Sequence, residues 1–142
     1  MAGETGVRRY LVVANRTLGG APLIETVRAC VAAGPSRFYL VVPATLPSGS
    51  FTDEEVHEGS RGRLDRALER LRAAGVEVDG EVGDHRPMDA IGDALNREAF
   101  DEIIISTLPH LLSHWLKVDL PQRAREKFGL PVTHVIGAEE PP

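Results

Sequence analysis

The stretch GEVGDHRPMDAIGDALNREAFDEIIIS, residues 80–106, changes its hydrophobic period twice within a short segment. It begins inside Val76–Val82, where apolar and polar residues alternate as in a strand with one exposed face. Pro87 then occupies a favoured first helical position, and an apolar stripe at helical spacing follows it. The β-branched run Ile103–Ile105 closes the stretch. The stretch therefore predicts a strand, a helix and a second strand, the unit that builds parallel sheets.

The same alternation of strand and helix patterns extends in both directions along the chain. Strands are predicted at Tyr10–Ala14, Phe38–Val42, Val76–Val82, Ile103–Ile105 and Val132–Ile136. Helices are predicted at residues 21–33, 61–74, 87–99 and 121–128. Continuous apolar runs are typical of parallel strands that are buried on both faces. The order predicts an α/β fold in which helices cover both faces of a five-stranded parallel sheet, with right-handed crossovers.

The length of 142 residues suits a single domain, predicted here over 1–142. Residues 44–60 carry proline, glycine and a run of acids, so they are expected to form a flexible loop. Residues 138–142 are expected to form a disordered tail. The lone Cys30 excludes an internal disulfide, and it is expected to be a small, buried hydrophobic side chain in a helix.

The overall charge and composition argue against several classes of partner. The net charge is −5, which disfavours non-specific binding to nucleic acid or to anionic membranes. Aromatic residues make up only 5% of the chain, so a base-stacking surface is not expected. No stretch approaches 18 consecutive apolar residues, and the first ten residues contain no apolar signal segment. These features predict a cytoplasmic protein.

Ligands of doubly wound sheets bind beyond the carboxyl ends of the strands, where the strand order reverses. If the first and fourth strands are neighbours there, neutral polar side chains converge at their exits. The candidate ligand-binding residues at the strand exits are Asn15, Thr17, Pro43, Gly83, Ser106, Thr107 and His110. These side chains could read a ribose or a base edge, or they could cap their own loops.

Other motifs give little support to an enzyme. Gly19–Gly20 could admit a phosphate or form a turn, and neither GxGxxG nor GxxxxGK[ST] occurs. Asp84–His85 could serve acid–base chemistry, but Asp84 is expected to cap the helix near Pro87. His110 and His114 are four residues apart with Asp119 nearby, yet they form no established zinc motif. No catalytic set and no metal site are predicted.

Residues 80–106 and the later segment KFGLPVTHVI, residues 127–136, together resemble the universal stress protein family. The resemblance covers about residues 7–137. It implies a three-layer, doubly wound sheet in the strand order 3-2-1-4-5 and a homodimer paired through the fifth strand. It also implies that some members bind ATP with an acidic residue at the first strand exit and a glycine-rich loop after the fourth strand.

The sequence departs from that family pattern at its polar positions. Asn15 stands where the family usually has Asp, and residues 106–123 contain no glycine. Asp119 lies about where the last Ser/Thr of the family's phosphate loop would be, and it is expected to cap the helix that starts at Pro121. Its carboxylate would repel a phosphate at about 4 Å by roughly 4 kcal/mol at an effective dielectric near 20. ATP is therefore not expected to bind in the family manner.

The leading hypothesis is thus a non-enzymatic, cytoplasmic homodimer that acts in stress response or as an interaction module, with no cofactor. The alternative is a regulator that binds a nucleotide or another small ligand in an altered pocket at the ends of strands 1 and 4. Trp115 and Leu116 are expected to pack in the core or in the dimer contact.

Overall fold

The computed structural model describes residues 6–44, 53–109 and 113–139, with the backbone alone for residues 53–58 and His114. It contains five strands: β1 Arg8–Val13, β2 Ser36–Pro43, β3 Val78–Gly83, β4 Glu102–Thr107 and β5 Val132–Ile136. It contains five helices: α1 Ala21–Ala33, α2 Asp53–Ala73, α3 Pro87–Arg97, α4 His114–Lys117 and α5 Leu120–Phe128. All strands pair in parallel in the order β3-β2-β1-β4-β5, which confirms the predicted fold class.

Both faces of the sheet are buried, which explains the continuous apolar runs. Successive residues of a strand point to opposite faces. On β1, Val12 packs into a core beneath α1 and α2, whereas Leu11 and Val13 pack into a second core beneath α3 and α5. Trp115 is half-buried against the second core, as expected for a core contact. Each fully buried aliphatic side chain contributes about 1.5–3 kcal/mol to folding.

Helix α2 begins at Asp53, earlier than the predicted residue 61, so it overlaps the loop predicted over residues 44–60. The turns that were not predicted fall within residues 53–60. Gly59 and Gly62 lower helix propensity by about 1 kcal/mol each and obscured these turns in the sequence. Packing of the buried Ser60 and Leu64 outweighs that penalty. Residues 45–52 lie outside the described part.

The remaining boundaries agree closely with the sequence prediction. Helix α1 has the predicted bounds, and α3 ends slightly before the predicted residue 99. Gly75 follows α2 with a φ of 83°, a left-handed conformation that suits glycine at a helix end. The short helix α4 was not predicted. None of the helices in the described ranges is long and apolar enough to cross a membrane.

Candidate ligand-binding site

The carboxyl ends of β1 and β4 lie side by side, with Val13 paired to Ile105. Because β1 connects forward to β2 on its other side, the strand order reverses at this point. A doubly wound sheet places its ligand crevice there. The structure thus brings the predicted polar residues of the two exits together, and Thr17 Oγ1 lies 2.6 Å from Ser106 Oγ.

The hydroxyl groups at this crevice are bonded to partners within the protein. Thr17 and Ser106 are 2% and 1% exposed, and their mutual hydrogen bond joins the loop after β1 to the end of β4. Thr107 Oγ1 lies 2.8 Å from His134 Nε2 on the neighbouring β5. In this arrangement the three hydroxyls hold loops and strands together, which matches the loop-capping alternative. Their assignment as ligand-binding residues stays a prediction.

A short segment after β5, residues 137–139, crosses over this cluster. Gly137 donates its N–H to the Thr107 carbonyl oxygen at 2.7 Å. A Cβ atom at Gly137 would lie 2.9 Å from both Ser106 Oγ and Thr17 Cβ, so glycine is needed for this close approach. Arg16 and Glu139 form an exposed ion pair at 3.3 Å. The predicted disordered tail therefore begins with residues in specific contacts, while residues 140–142 lie outside the described part.

Gly20 is the second point of close backbone approach. A Cβ atom there would come within 2.0 Å of the Ala138 carbonyl oxygen. Gly20 also donates its N–H to Thr17 O at 3.0 Å, in a turn immediately before α1. The glycine pair thus forms the turn that the sequence suggested, and the backbone that approaches it belongs to the protein itself.

Asn15 connects three elements at the ends of β1 and β2. Its Nδ2 donates to the Pro43 carbonyl oxygen at the end of β2. Its Oδ1 accepts a hydrogen bond from Arg63 Nη1 of α2 at 2.7 Å. Asn15 and Arg63 are both half-buried. Sequence reasoning missed Arg63, because the contact spans 48 residues and α2 offered no motif that singles out one of its arginines.

No protein-family model matches the sequence, and no curated protein is significantly similar to it. Solved structures do match. One is a universal stress protein in complex with cAMP, at a TM-score of 0.61 and 13% identity over 92% of this chain and 98% of that chain.

Two further structures match with similar coverage. The universal stress protein from Archaeoglobus fulgidus in complex with dAMP gives a TM-score of 0.60 and 19% identity over 90% of this chain and 97% of that chain. A universal stress protein family protein from Arabidopsis thaliana with AMP bound gives a TM-score of 0.57 and 13% identity over 91% of both chains. This chain has the universal stress protein fold. The strand order implied by the sequence resemblance is confirmed with it.

Within the universal stress protein fold, the predicted capping role of Asp119 is wrong. Asp119 does occupy the position before α5, and Arg123 N donates to its carbonyl oxygen at 3.0 Å. Its backbone is left-handed, with a φ of 53°, and its exposed side chain makes no capping hydrogen bond. A capping side chain requires an extended backbone at that position. The carboxylate therefore does not fill the N-terminal end of α5.

Asp84 does not cap α3 as predicted, because it organises the turn before the helix. Arg86 N donates to Asp84 Oδ1 at 2.8 Å, and the Arg86 side chain bonds the same carboxylate. These bonds lower the pKa of Asp84 to about 2. Arg86 itself occupies the capping position, without a side-chain bond. His85 is exposed, with Nδ1 3.5 Å from Asp84 Oδ1.

The last predicted positions fall on packing contacts or outside the described residues. Gly83 lies where a Cβ would be 3.1 Å from Ala90 Cβ, so it lets α3 pack closely against β3. His110 lies outside the described part, as does the side chain of His114. Within the described ranges, no group of three acidic, histidine or cysteine side chains is placed to hold a metal ion.

Proposed function

We propose that this protein is a non-enzymatic regulator that binds an adenine nucleoside monophosphate at the carboxyl ends of β1 and β2. The observation that carries the proposal is the half-buried Asn15, whose amide joins Pro43 at the end of β2 to Arg63 on α2. Amide and carbonyl groups at such an edge can recognise a base or a ribose. Structures with the same fold bind cAMP, dAMP and AMP, which supports this class of ligand.

The glycine-free connection after β4 argues for a monophosphate instead of a triphosphate. An extended phosphate chain needs close backbone approach and several free N–H donors, and residues 106–123 contain no glycine to permit that approach. The carboxylate that was expected to repel phosphate, Asp119, is exposed and makes no capping hydrogen bond. The lack of glycine in this loop therefore disfavours a triphosphate, whereas a single phosphate group is compatible with the loop.

Isothermal titration with adenosine, AMP, cAMP, dAMP and Mg-ATP tests this proposal, with thermal shift as a second readout. We expect saturable binding of a monophosphate, with GMP as the control for base recognition. Mg-ATP should bind no more tightly than AMP. Tenfold tighter binding of Mg-ATP than of AMP would contradict the monophosphate preference. If none of the adenine compounds bound, nucleotide binding itself would be contradicted.

A second candidate function is an interaction module that works without a nucleotide. It is favoured by the closed cluster of Thr17 and Ser106, whose buried hydroxyls bond each other under Gly137. In this case the fold would act as a homodimer through β5, and the crevice would stay empty. The same titrations separate the two candidates, because only the first predicts a saturable response to adenine nucleotides.

A non-enzymatic role is part of both candidates. Of the pair considered for acid–base chemistry, Asp84 binds the Arg86 side chain, and His85 is exposed. A nucleophile, a base and an orienting group must share hydrogen bonds to act together. Turnover of AMP or ATP by purified protein, measured by released phosphate or adenosine, would contradict this role.

A further inference from the structure

Arg63 is held in place by the packing of its neighbour in the sequence. Leu64 is fully buried, and it packs so closely on β3 that a Cβ at Gly80 would lie 2.7 Å from its Cδ1. This contact fixes the rotation of α2 on the sheet. Arg63 is consequently directed to the carboxyl end of β1, where its Nη1 donates to Asn15 Oδ1 at 2.7 Å.

The guanidinium of Arg63 is bound by a neutral partner, as are those of Arg70 and Arg125. Arg63 is half-buried at the strand exits, whereas Arg70 and Arg125 are exposed. Eight other arginines of the described surface are paired with carboxylates: Arg8–Glu102, Arg9–Glu98, Arg16–Glu139, Arg37–Glu77, Arg61–Asp65, Arg72–Asp79, Arg86–Asp84 and Arg97–Glu81. Among the side chains that the structure describes, Arg63 forms no such ion pair, and it donates to the neutral amide oxygen of Asn15. None of the carboxylates that the structure describes therefore neutralises its positive charge.

The chemistry of this pair suits a phosphate group. A guanidinium has five N–H donors in a planar fork that matches two oxygens of a phosphate. One of these donors is used by Asn15, and the amide orients the fork without cancelling its charge. An aspartate at position 15 would form an internal ion pair and lower the attraction for an anion.

We propose that Arg63 binds the phosphate group of the ligand and that Asn15 is its positioning residue. This inference rests on the proposed function for the nucleoside part of the ligand. The ligand class is a nucleoside monophosphate whose phosphate lies beside α2, at the carboxyl ends of β1 and β2. The binding preference for AMP over adenosine then measures the contribution of Arg63.

The test compares AMP and adenosine affinities in the wild type and in three variants. Arg63→Gln keeps a donor for Asn15 but removes the charge, and it should weaken AMP binding about 10- to 100-fold while adenosine changes less than about twofold. Asn15→Asp should also weaken AMP more than adenosine, because its carboxylate neutralises Arg63. Arg61→Gln is the matched control, since it removes the same charge from the same helix at an exposed ion pair, and it should leave both affinities unchanged.

Inorganic phosphate provides a readout that does not depend on the nucleoside. NMR of the arginine Nε–H signals should show that phosphate perturbs Arg63 in the wild type and that Asn15→Asp weakens this response. Adenosine binding with no preference for AMP and no phosphate response would overturn the inference and leave the proposed function. A phosphate response at Arg63 without any nucleoside binding would support the inference and overturn the proposed function. An equal loss of AMP and adenosine affinity in Arg63→Gln would assign Arg63 a structural role and overturn the inference. The inference would also be overturned if the wild type responded to neither AMP, adenosine nor inorganic phosphate.

Discussion

The hydroxyl pair Thr17–Ser106 joins the loop after β1 to the end of β4 through one buried hydrogen bond. Both side chains are almost completely buried, and each oxygen is the other's partner at 2.6 Å. Removing one hydroxyl leaves the other without a partner, and an unsatisfied buried group costs about 1–3 kcal/mol. Replacing both with apolar groups of similar shape removes that penalty.

We therefore predict a non-additive effect on the free energy of unfolding. Ser106→Ala and Thr17→Val should each destabilise the protein by about 1–3 kcal/mol, whereas the double variant should be less destabilised than the sum of the two. Urea denaturation of the four proteins measures this cycle. Additive single effects would show that the two hydroxyls act independently, in contrast to the observed pair.

The stability of the folded protein should depend on pH through His134. Its pKa is lowered, first by burial and second by the positive charge of Arg125, and its Nε2 lies 2.8 Å from Thr107 Oγ1. Folding thus favours the neutral ring. A lowered folded-state pKa contributes stability that is complete above the unfolded value, near 6.5, and is lost as pH falls below it.

The predicted outcome is that the wild type loses stability relative to His134→Gln between about pH 7 and pH 5. The effect should be modest, since the ring is only partly buried. Urea denaturation across this range, together with an NMR titration of the His134 ring, checks it. A measured pKa at or above 6.5 would contradict the prediction.

At the scale of elements, sequence pattern was most informative where the hydrophobic period was strong. The bounds of α1 and the core of every strand followed from apolar spacing. The first turns of α2 could not be predicted, because glycines at 59 and 62 mask a helix that tertiary packing of Leu64 stabilises. The capping residues were also predicted wrongly from the sequence. A short polar side chain such as Asp84 can accept a hydrogen bond from a turn N–H as readily as from a helix N-terminus.

The segment after β5 leads to a prediction about a single methyl group. In Gly137→Ala the new Cβ would lie 2.9 Å from Ser106 Oγ and from Thr17 Cβ, both of which are buried. Because these neighbours cannot move freely, we expect residues 137–139 to shift away and the protein to lose about 1–3 kcal/mol. Hydrogen exchange of the Gly137 amide, which bonds Thr107 O, should become faster.

Gly92→Ala is the matched control for this methyl group. Its Cβ would meet the Phe128 ring at 3.8 Å, an ordinary contact, and it lies within α3. Alanine should stabilise that helix by up to about 1 kcal/mol. Unchanged exchange at Gly137 in the Gly137→Ala variant would show that the segment tolerates the extra atom, contrary to the prediction.

For the whole molecule, the strand order followed from the family resemblance, and the position of the crevice followed from that order, but the use of the crevice could not be predicted. The first and fourth strand exits meet as expected from the reversal in strand order. The sequence could not show that Gly137 covers Thr17, or that Arg63 reaches Asn15, because both contacts join segments far apart in the chain. Such contacts depend on how completed helices and strands pack, and no local spacing encodes them.

The edge strand β5 carries the remaining prediction, a homodimer. Pro131 O accepts a hydrogen bond from Ile103 N, and Gly137 N donates one to Thr107 O. The backbone groups of alternate residues point in opposite directions, so those of residues 132, 134 and 136 face the open edge. Ile136 also exposes 52% of its surface. An unpaired apolar edge is suited to pairing with a second copy.

Proline at position 136 tests this edge without disturbing the sheet. Ile136→Pro removes an N–H that faces outward and leaves the bonds of β5 to β4 in place. We expect the wild type to elute as a dimer in size-exclusion chromatography with light scattering. Ile136→Pro should weaken the dimer by about tenfold or more and keep the circular dichroism of the wild type. Ile136→Val, which retains the N–H, is the control and should remain dimeric. A wild type that stays monomeric at high concentration would contradict the homodimer. A proline variant that still dimerises normally would place the contact away from β5, because only pairing through β5 requires that outward N–H.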